Sequence, residues 1–404
     1  MYNIYVLFSI SFILNDMDGY GQSINKTLTK LAEHGFENVS GTEDEQDCIY
    51  VIETSMYNVP EAGINKAMYI IRETVFWPDK PCTLIVLDNN VPQLSFTCFP
   101  LAGDSITREK TYWQASYNTD DKWRKVKHSK QIKNSSLYKM DITIYPELYF
   151  RNYIVSKVYE LVVNISPVVE LSFWRGMKLS AQVIFPVKND YGERYNQIRP
   201  GFFTLSQSIR LPYRTFFIAT AGTFNNFRWG ADMRLKHILK DERFSLNARL
   251  GYTAKGYYDR WAYYYDKECS LTGSIGANFY LPYYNTQFSL NVERYLLKEY
   301  GVYGEMIRHF RGASIGFYAT KVQHAGNNGF NGGFIFQIAL SPYKSKRGKY
   351  PVRIKAGDFG VKYNAGNEEI YGRSYKTKAN DNQMRDNSFN PLFIKSLNII
   401  ENEK

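Results

Sequence analysis

Cationic side chains alternate with apolar ones between residues 226 and 254 of this 404-residue chain. The predicted row consists of Arg228, Arg234, Lys236, Arg243 and Arg249. A row of such charges on neighbouring strands could bind an anionic polysaccharide. Alternatively, pairing with nearby acids such as Asp232 would make the same residues a structural network that fills an interior. The sequence leaves both interpretations open.

The chain has four cysteines, at Cys48, Cys82, Cys98 and Cys269, without CxxC or Cys/His ligand spacing. Cys82 and Cys98 bracket two strand-like runs, 83–87 and 93–97. A three-residue loop at 89–91 would place the two cysteines opposite each other, with Cβ atoms roughly 4.5–5.5 Å apart, close to disulfide range. The pattern predicts either a disulfide, which an exported chain would permit, or two buried thiols.

The sequence has no recognisable catalytic constellation. His237, His309 and His324 have no motif around them, and neither a Ser/His/acid set nor a paired carboxylate is evident. We therefore expect no catalytic, cofactor-binding or metal site, and a non-enzymatic protein.

Composition limits the classes of partner. The net charge is +11, but Lys and Arg are spread over the whole chain, which argues against a nucleic-acid-binding role and leaves an acidic glycan or anionic lipid headgroup. Aromatic residues make up 16% of the chain and mean hydropathy is −0.40. That value disfavours helical membrane spans, whereas barrel strands average to mild polarity because lipid-facing and lumen-facing residues alternate.

A period of two dominates from about residue 137. Alternating runs such as Arg243–Ala254 exceed the usual strand of ~5–6 residues and reach the ~9–11 needed to cross a bilayer. The pattern predicts an all-β transmembrane β-barrel of about 14 antiparallel strands, uncertain by two, preceded by a small α+β domain. Short turns should alternate with longer loops at 188–198, 256–268 and 322–329. The aromatic residues near 257–265 would form either an interfacial girdle or a sugar-stacking platform.

The predicted order is a signal peptide at 1–21, a small periplasmic α+β domain at 24–100, a basic polar connector at 101–136, the barrel at 137–365 and a polar C-terminal segment at 366–404. The apolar run Ile4–Leu14 has the length of a secretory h-region, with a buried strand as the alternative. Trp113, Tyr117 and Trp123 leave open a strand or an interfacial position within the connector. A final barrel strand is expected near Val352–Tyr363 or Phe389–Leu397.

The stretch Glu293–Leu340 resembles the YjbH family of outer-membrane exopolysaccharide-biosynthesis proteins. The matching positions are Arg294, Tyr295, Leu296, Gly301, Arg308, Phe310, Gly312, Gly316, Thr320, Gly329, Phe330 and Gly332. The acid that follows R-Y-L in the family is replaced by Lys298 or Glu299, depending on register. Longer relatives begin with a further barrel opening on a T-G-x-x-x-x-P element, which is not found here.

The resemblance implies a non-enzymatic outer-membrane β-barrel that assists exopolysaccharide or capsule biosynthesis or export. It implies outer-membrane lipid and a separately encoded barrel partner, with an anionic polysaccharide as a further candidate. Its motif residues would be structural, and Arg294 and Arg308 could pair with nearby glutamates inside the barrel. The alternatives are a soluble or surface-attached glycan-binding β protein and an outer-membrane hydrolase.

Overall fold

The computed structural model describes residues 24–74, 80–99, 113–128, 131–152, 159–324, 327–348, 350–365 and 372–397. Its strands form a mixed sheet of five strands followed by a largely antiparallel sheet of fourteen. The predicted β-rich architecture with a small α+β domain is confirmed, and so is the number of strands. The fourteen-stranded sheet is not closed into a barrel, because its two edge strands pair with different neighbours and not with each other. The predicted signal peptide lies outside the described residues.

The small domain has a parallel strand pair at its centre. It contains helix α1 at 24–33, strands β1 (Glu37–Glu43) and β2 (Cys48–Glu53), helix α2 (Pro60–Thr74), strands β3 (Cys82–Asp88), β4 (Val91–Cys98) and β5 (Trp113–Ser116), and helix α3 (Asp120–Val126). Strands β2 and β3 are parallel and are joined by α2, which begins with Pro60 in its first turn. Leu31 of α1, Ile64 of α2 and Phe96 of β4 are fully buried in the core between helices and sheet.

Part of the predicted connector is regular structure. Strand β5 pairs with β4, and Trp123 of α3 packs on the opposite face of the sheet against Val51 and Ile85. The alternative of a strand near Trp113 is therefore the one observed. Apolar side chains interrupt the basic run of this segment and are buried on the sheet.

The hairpin between β3 and β4 brings Cys82 opposite Cys98 through a different turn from the one expected. Asn89 and Asn90 both have positive φ, as in a two-residue turn between antiparallel strands. A register shift beyond Leu87 then restores the predicted pairing of the two cysteines.

The large sheet follows the order of the chain from β6 to β17. Its strands are β6 (Met140–Asn152), β7 (Tyr159–Leu171), β8 (Met177–Asn189), β9 (Arg199–Leu211), β10 (Thr215–Phe224), β11 (Arg228–Ile238), β12 (Phe244–Asp259), β13 (Ala262–Leu281), β14 (Thr286–Arg294), β15 (Tyr300–Phe310), β16 (Ala313–His324), β17 (Asn327–Ala339), β18 (Val352–Ala356) and β19 (Asp358–Lys362). Short 3₁₀ helices occupy Glu193–Asn196 and Pro282–Tyr284.

The two edge strands of the large sheet are consecutive in the chain. Strand β18 pairs in parallel with β6, and β19 pairs antiparallel with β17. Gly357, between them, donates its N–H to the carbonyl oxygen of Ile144 at 2.8 Å and accepts the N–H of Leu340 at 3.2 Å. One residue thus links both ends of the sheet. The expected final strand near Val352–Tyr363 corresponds to β18 and β19.

The residues after the large sheet return to the small domain. Helix α4 (Gln383–Asn387) and helix α5 (Pro391–Ser396) begin at Asn382 and Asn390, whose side chains accept backbone N–H groups of the first turn. Phe389 and Ile394 enter the core of the small domain. The strand considered for Phe389–Leu397 is therefore wrong, since its apolar residues pack as a capped helix.

The small domain covers the end of the large sheet that carries the short turns. The Ser116 hydroxyl donates to the Glu242 carboxylate at 2.7 Å, and Arg210 donates to the carbonyl oxygen of Gln93 at 2.9 Å. At the opposite end, the loop expected at 256–268 is instead a hairpin formed by β12 and β13, which turns at Arg260.

Candidate functional site: the inner face of the large sheet

The large sheet has one polar face and one apolar face, and the apolar face is the exposed one. On β12, Leu246, Leu250 and Tyr252 are 50, 51 and 60% exposed, whereas Ser245 and Thr253 are buried. We call the polar face, against which residues 372–387 pack, the inner face, and the apolar face the outer face. The predicted alternation is present from Phe244 to Thr253, with the polar set on the inner face.

Arg234 and Arg249 belong to an ion-pair network on the inner face. Two nitrogens of Arg234 donate to the two carboxylate oxygens of Asp381, at 2.7 and 2.6 Å. Arg234 also donates to Asp232 at 3.0 Å, and Arg249 donates to the other oxygen of Asp232 at 2.7 Å. The Tyr375 hydroxyl completes the network with a 2.7 Å bond to Asp232. For these two arginines the geometry matches the network interpretation, because both have a carboxylate partner.

The other predicted cations divide between the inner face and a turn. Arg228 is buried and donates to the carbonyl oxygen of Thr253 at 2.6 Å. Lys236 is half-buried in the inner-face register of β11. Arg243 does not line the inner face. It precedes β12 in an exposed turn, where its side chain bends back to Asp241 at 2.6 Å.

Residues 372–387 run along the inner face from one end of the sheet to the other. Near the end opposite the small domain, the Leu296 N–H donates to the carbonyl oxygen of Arg373 at 3.0 Å, and the Gly372 N–H donates to Glu299 at 3.1 Å. Near the small domain, Met384 packs against apolar residues that include Ala339. We call residues 372–387 the inner segment.

The Arg-Tyr-Leu motif forms the place where the inner segment begins. Tyr295 is buried, and its hydroxyl lies 3.0 Å from the Thr320 hydroxyl of β16. Leu296 packs against Phe224 and the Tyr375 ring. This part of the motif is therefore a docking point for the inner segment.

The motif glycines allow close approach between strands. A Cβ atom on Gly301 would lie 2.7 Å from the carbonyl oxygen of Lys321, and one on Gly316 would overlap the carbonyl oxygen of Met306. Gly312 has φ +67° in the turn between β15 and β16. Gly332, with 3.0 Å to the carbonyl oxygen of Tyr318, is less constrained.

The two motif arginines take part in aromatic contacts. The Arg294 guanidinium lies 5.7 Å from the centroid of the Tyr300 ring, and that of Arg308 lies 5.3 Å from the Phe310 ring. Arg308 and Phe310 are exposed on the outer face, as is Phe330. The expected pairing of Arg308 with a glutamate inside the barrel is therefore wrong, since its strand register turns it outward. Gly329 occupies the neighbouring position on β17.

A second charge network joins the small domain to the large sheet. Arg347 contacts Glu37 of β1 and Asp141 of β6, both at 2.6 Å. Arg353 of β18 contacts Asp141 at 2.5 Å and Glu37 at 3.2 Å, and Lys355 lies 3.0 Å from Asp141. The sequence did not reveal this cluster, because Glu37 and Arg347 are 310 positions apart.

Glu53 is a buried acid in the small domain beside this junction. It accepts the backbone N–H groups of Asn89 at 2.9 Å and Asn90 at 3.1 Å. Burial, with the neighbouring carboxylates Asp88 and Glu37, raises the pKa of Glu53 to about 7. Arg385 of α4 lies 3.1 Å from Asp88, so the inner segment also reaches this acidic group.

Three cysteines form a buried row across the small sheet. Cys48, Cys82 and Cys98 occupy paired positions on β2, β3 and β4, and all are free thiols, as is the exposed Cys269. The predicted Cys82–Cys98 disulfide is therefore absent. Opposed strand positions keep Cβ atoms at about 4.5–5.5 Å, beyond the mean of about 3.8 Å in a disulfide. Burial raises the pKa of Cys98 to about 11.

His309 and His237 bond to different hydroxyl groups, and the side chain of His324 lies outside the described residues. The His309 ring is buried and lies 2.8 Å from the Ser314 hydroxyl, whereas His237 lies 2.8 Å from the Thr215 hydroxyl. Within the described ranges, no group of three or more His, Cys, Asp or Glu side chains could hold a metal ion. No helix in this part of the chain combines the length and apolar character that would let it cross a bilayer.

No protein-family model matches this chain, and comparison with curated proteins and with solved structures gave no match.

Proposed function

We propose that the chain is a non-enzymatic outer-membrane β-barrel that assists the biosynthesis or export of an exopolysaccharide or capsule. In this proposal the large sheet closes on itself and crosses the bilayer, and the small domain lies in the periplasm. An anionic polysaccharide and a separately encoded barrel protein are the proposed partners.

The observation that carries the membrane assignment is the reversal of the usual burial pattern. Apolar side chains of the large sheet, such as Leu250, Ile275 and Phe317, are 51, 73 and 61% exposed, while Asp232 and Arg228 are buried. A soluble sheet protein buries its apolar face, since exposed apolar patches beyond a few hundred Å² are rare on monomers. A barrel in lipid requires this pattern.

Strand length supports the same proposal. Strands β6 to β9 each have 13 residues, and β11 and β15 each have 11. A tilted strand needs about 9–11 residues to cross a bilayer. Strands of soluble proteins usually have only about 5–6 residues.

Exposed aromatic residues occur towards both ends of the strands. Tyr213 and Tyr283 are exposed at the short turns, and Tyr159 and Tyr300 are exposed at strand ends on the opposite side. Aromatic girdles at both interfaces accompany membrane barrels, because the ring is apolar and the hydroxyl is polar.

Closure is proposed from the link at Gly357. Gly357 bonds to Ile144 of β6 and to Leu340, which directly follows β17. The two ends of the sheet therefore lie next to each other at this residue. An open edge in lipid would leave backbone N–H and C=O groups unsatisfied at several kcal/mol each, so a bilayer favours closure at this point.

The glycan role rests on the resemblance of Glu293–Leu340 to the YjbH family. Tyr295 and Leu296 hold the inner segment, which makes the motif a structural part of the proposed barrel. The polysaccharide would contact inner-face or outer-loop residues while the chain performs no chemistry on it.

A charge placed on the outer face tests the membrane assignment. Arg at position 250 would cost about 2–4 kcal/mol at a bilayer midplane, whereas an exposed position in water tolerates it within about 0.5 kcal/mol. We expect Leu250→Arg to reduce the amount of folded protein in the outer-membrane fraction and to abolish the heat-dependent gel shift. Tyr265→Arg, at an exposed site near the turn of the β12–β13 hairpin, is the matched control and should behave as the wild type.

The glycan role has a separate test. Deletion of the gene should lower the extracellular polysaccharide, and the wild-type chain should restore it. Recovery of the protein without detergent, with no gel shift, would contradict the barrel. An unchanged polysaccharide level with a correctly inserted barrel would contradict only the glycan role.

A further inference from the structure

The turn between β7 and β8 carries an exposed tryptophan at the rim of the outer face. Trp174 is 56% exposed, and its indole N–H donates to the Gln207 side chain of β9 at 2.9 Å. Gln207 lies in the strand register between Leu205 and Ile209, which are exposed apolar residues of the outer face. The indole is therefore held where the apolar outer face ends at the short turns.

The small domain fixes the position of this turn. The Gly176 N–H donates to the carbonyl oxygen of Asn89 at 3.0 Å, and the Ser172 hydroxyl donates to the Asn89 side chain at 2.8 Å. Gly176 has φ +77°, and a Cβ atom there would overlap the carbonyl oxygen of Ser208 on β9. The turn is thus held by the small domain on one side and by β9 on the other, so its exposed side chains extend from a fixed backbone.

Arg175 follows Trp174 and has no carboxylate partner within the described ranges. Its guanidinium lies 5.0 Å from the centroid of the Trp123 ring of α3 and donates to the carbonyl oxygen of Lys127 at 3.0 Å. That carbonyl oxygen takes one of the five N–H donors of the guanidinium. The exposed guanidinium therefore keeps donors for an anion, and its contact with the indole ring orients it.

The acids of α3 are engaged with other cations. Asp120 lies 3.5 Å from Arg210, and Asp121 lies 3.8 Å from Arg124. Among the described residues, Lys127 also has no carboxylate within ion-pair distance. We call Trp174, Arg175 and Lys127 the basic rim. An exposed tryptophan beside unpaired cations is the arrangement that suits a bilayer interface with anionic headgroups.

We propose that the basic rim binds the phosphodiester of an anionic phospholipid, in the leaflet on the side of the small domain. Arg175 donates to the phosphate oxygens, Trp174 lies at the level of the headgroups, and the acyl chains continue along Leu205 and Ile209 of the outer face. No bond is made or broken. Because the cations adjoin the apolar outer face, the rim selects a lipid over a free anion. The inference deepens the proposed function and rests on it, since it requires the outer face to lie in a bilayer.

Lipid selectivity can be measured on the full chain purified in neutral detergent, by native mass spectrometry with phosphatidylglycerol and phosphatidylcholine added in equal amounts. Each cation near an anionic lipid surface contributes about fivefold in affinity, so we expect phosphatidylglycerol to be retained at least about fivefold more than phosphatidylcholine. The preference should fall as salt is raised, because salt screens exposed charges. Inorganic phosphate at equal concentration should not displace the lipid, since it makes no contact with the outer face. Equal retention of the two lipids, or displacement by phosphate, would overturn the inference.

Four variants locate the selectivity. Arg175→Gln removes the charge and should lower the preference for phosphatidylglycerol about fivefold, whereas Arg175→Lys keeps the charge and should retain most of it. Lys127→Gln should also lower the preference and leaves the β7–β8 turn unchanged. Arg243→Gln, at an exposed arginine paired with Asp241 in another short turn, is the matched control and should keep the wild-type preference.

Substitutions at two separate positions keep the inference testable if one variant fails to fold. An unchanged preference in folded Arg175→Gln or Lys127→Gln, or an equal loss in Arg243→Gln, would overturn it, because the charge of the whole chain would then select the lipid. The heat-dependent gel shift of the same samples tests the membrane assignment separately. A wild-type gel shift without a preference for phosphatidylglycerol contradicts the lipid site and leaves the proposed function standing, whereas a wild-type chain without a gel shift contradicts the barrel.

Discussion

Glu53 is the buried acid whose protonation should control the stability of the small domain. Its pKa in the folded chain, about 7, is above the ordinary value of 4.5. The folded state therefore holds a proton that the unfolded state has lost between these pH values, and the free energy of unfolding falls as pH rises. Below about pH 4.5 both states keep the proton, so the free energy of unfolding is not reduced. Above pH 7 both states have lost it, and the reduction reaches its full value of about 3 kcal/mol.

The substitution Glu53→Gln tests this sign. Urea unfolding of the full chain in detergent, followed by tryptophan fluorescence, should show lower stability at pH 8 than at pH 5 in the wild type. The variant should lose most of that difference, and at pH 5 it should be less stable than the wild type because an acceptor for Asn89 or Asn90 is lost. An equal pH difference in both chains would contradict the assignment to Glu53.

The cysteines give a second prediction at this scale. Cys48, Cys82 and Cys98 are buried as thiols and Cys269 is exposed. In the folded chain an alkylating reagent should therefore modify Cys269 first, because burial blocks access to the others. Unfolding without reductant should then allow three further modifications by mass spectrometry. Only one further modification would show that two of these thiols are joined.

Residue-level prediction succeeded where the signal was local. The alternation around Arg234 placed it on the polar face with Asp232 two positions away. It could not supply Asp381, which is 147 positions further along and binds Arg234 by two hydrogen bonds. Arg243 was predicted to lie on the inner face because the alternation of polar and apolar residues extends to it in the sequence. In the structure it lies in a turn before β12, where its side chain bonds to Asp241.

Elements with a strong pattern were predictable, and those that depend on tertiary pairing were not. The alternating run Arg243–Ala254 was predictable as strand β12, because its polar and apolar residues alternate in the sequence itself. Strand β1, with sequence ENVSGTE, carries no such pattern and is a strand because it pairs with β2. The hairpin of β12 and β13 was mistaken for a loop at 256–268, because its polar and aromatic residues pair only with each other.

The pairing of β17 with the last residues of the sheet gives a prediction at the scale of elements. A Cβ atom on Gly333 would overlap the carbonyl oxygen of Tyr363, whereas one on Gly360 would lie 3.4 Å from the Gln337 side chain, an ordinary contact. Gly333→Ala should therefore push β17 away from Tyr363, at about 1–3 kcal/mol. Gly360→Ala is the matched control on β19.

The measurement is the temperature at which the folded band converts to the unfolded band on a gel. That temperature should fall for Gly333→Ala and stay near the wild-type value for Gly360→Ala. Equal temperatures for both variants would mean that pairing of the last strand does not require the close contact between Gly333 and Tyr363. That result would weaken the proposed closure at Gly357.

At the scale of the molecule, two domains and both ends of the large sheet are tied together by residues remote in sequence. The inner segment connects Leu296, at the end away from the small domain, to the core around Phe389 and Ile394. No periodic pattern in the chain encodes this path. It depends on individual polar contacts, such as Arg385 with Asp88 and Arg353 with Asp141.

The inner segment lies along the inner face, which becomes the lumen in the proposed barrel. Its middle is held mainly by polar contacts with Arg234 and Asp232, whereas the helix that follows it is buried in the small domain. Asp381→Asn removes the charge partner of Arg234, and hydrogen bonds to charged groups contribute about 1.5–3 kcal/mol. We expect this variant to release the middle of the segment while its end stays anchored, and so to raise ion conductance in planar bilayers.

Asp241→Asn is the matched control, because Asp241 pairs with Arg243 in an exposed turn outside the inner face. Asp241→Asn should keep the low conductance expected of the wild type. Both variants should also keep the wild-type temperature of the gel shift. Raised conductance in both variants would indicate a general loosening of the sheet. Unchanged conductance in Asp381→Asn would mean that the segment's remaining contacts, including the Tyr375 bond to Asp232, are sufficient to keep the pore closed.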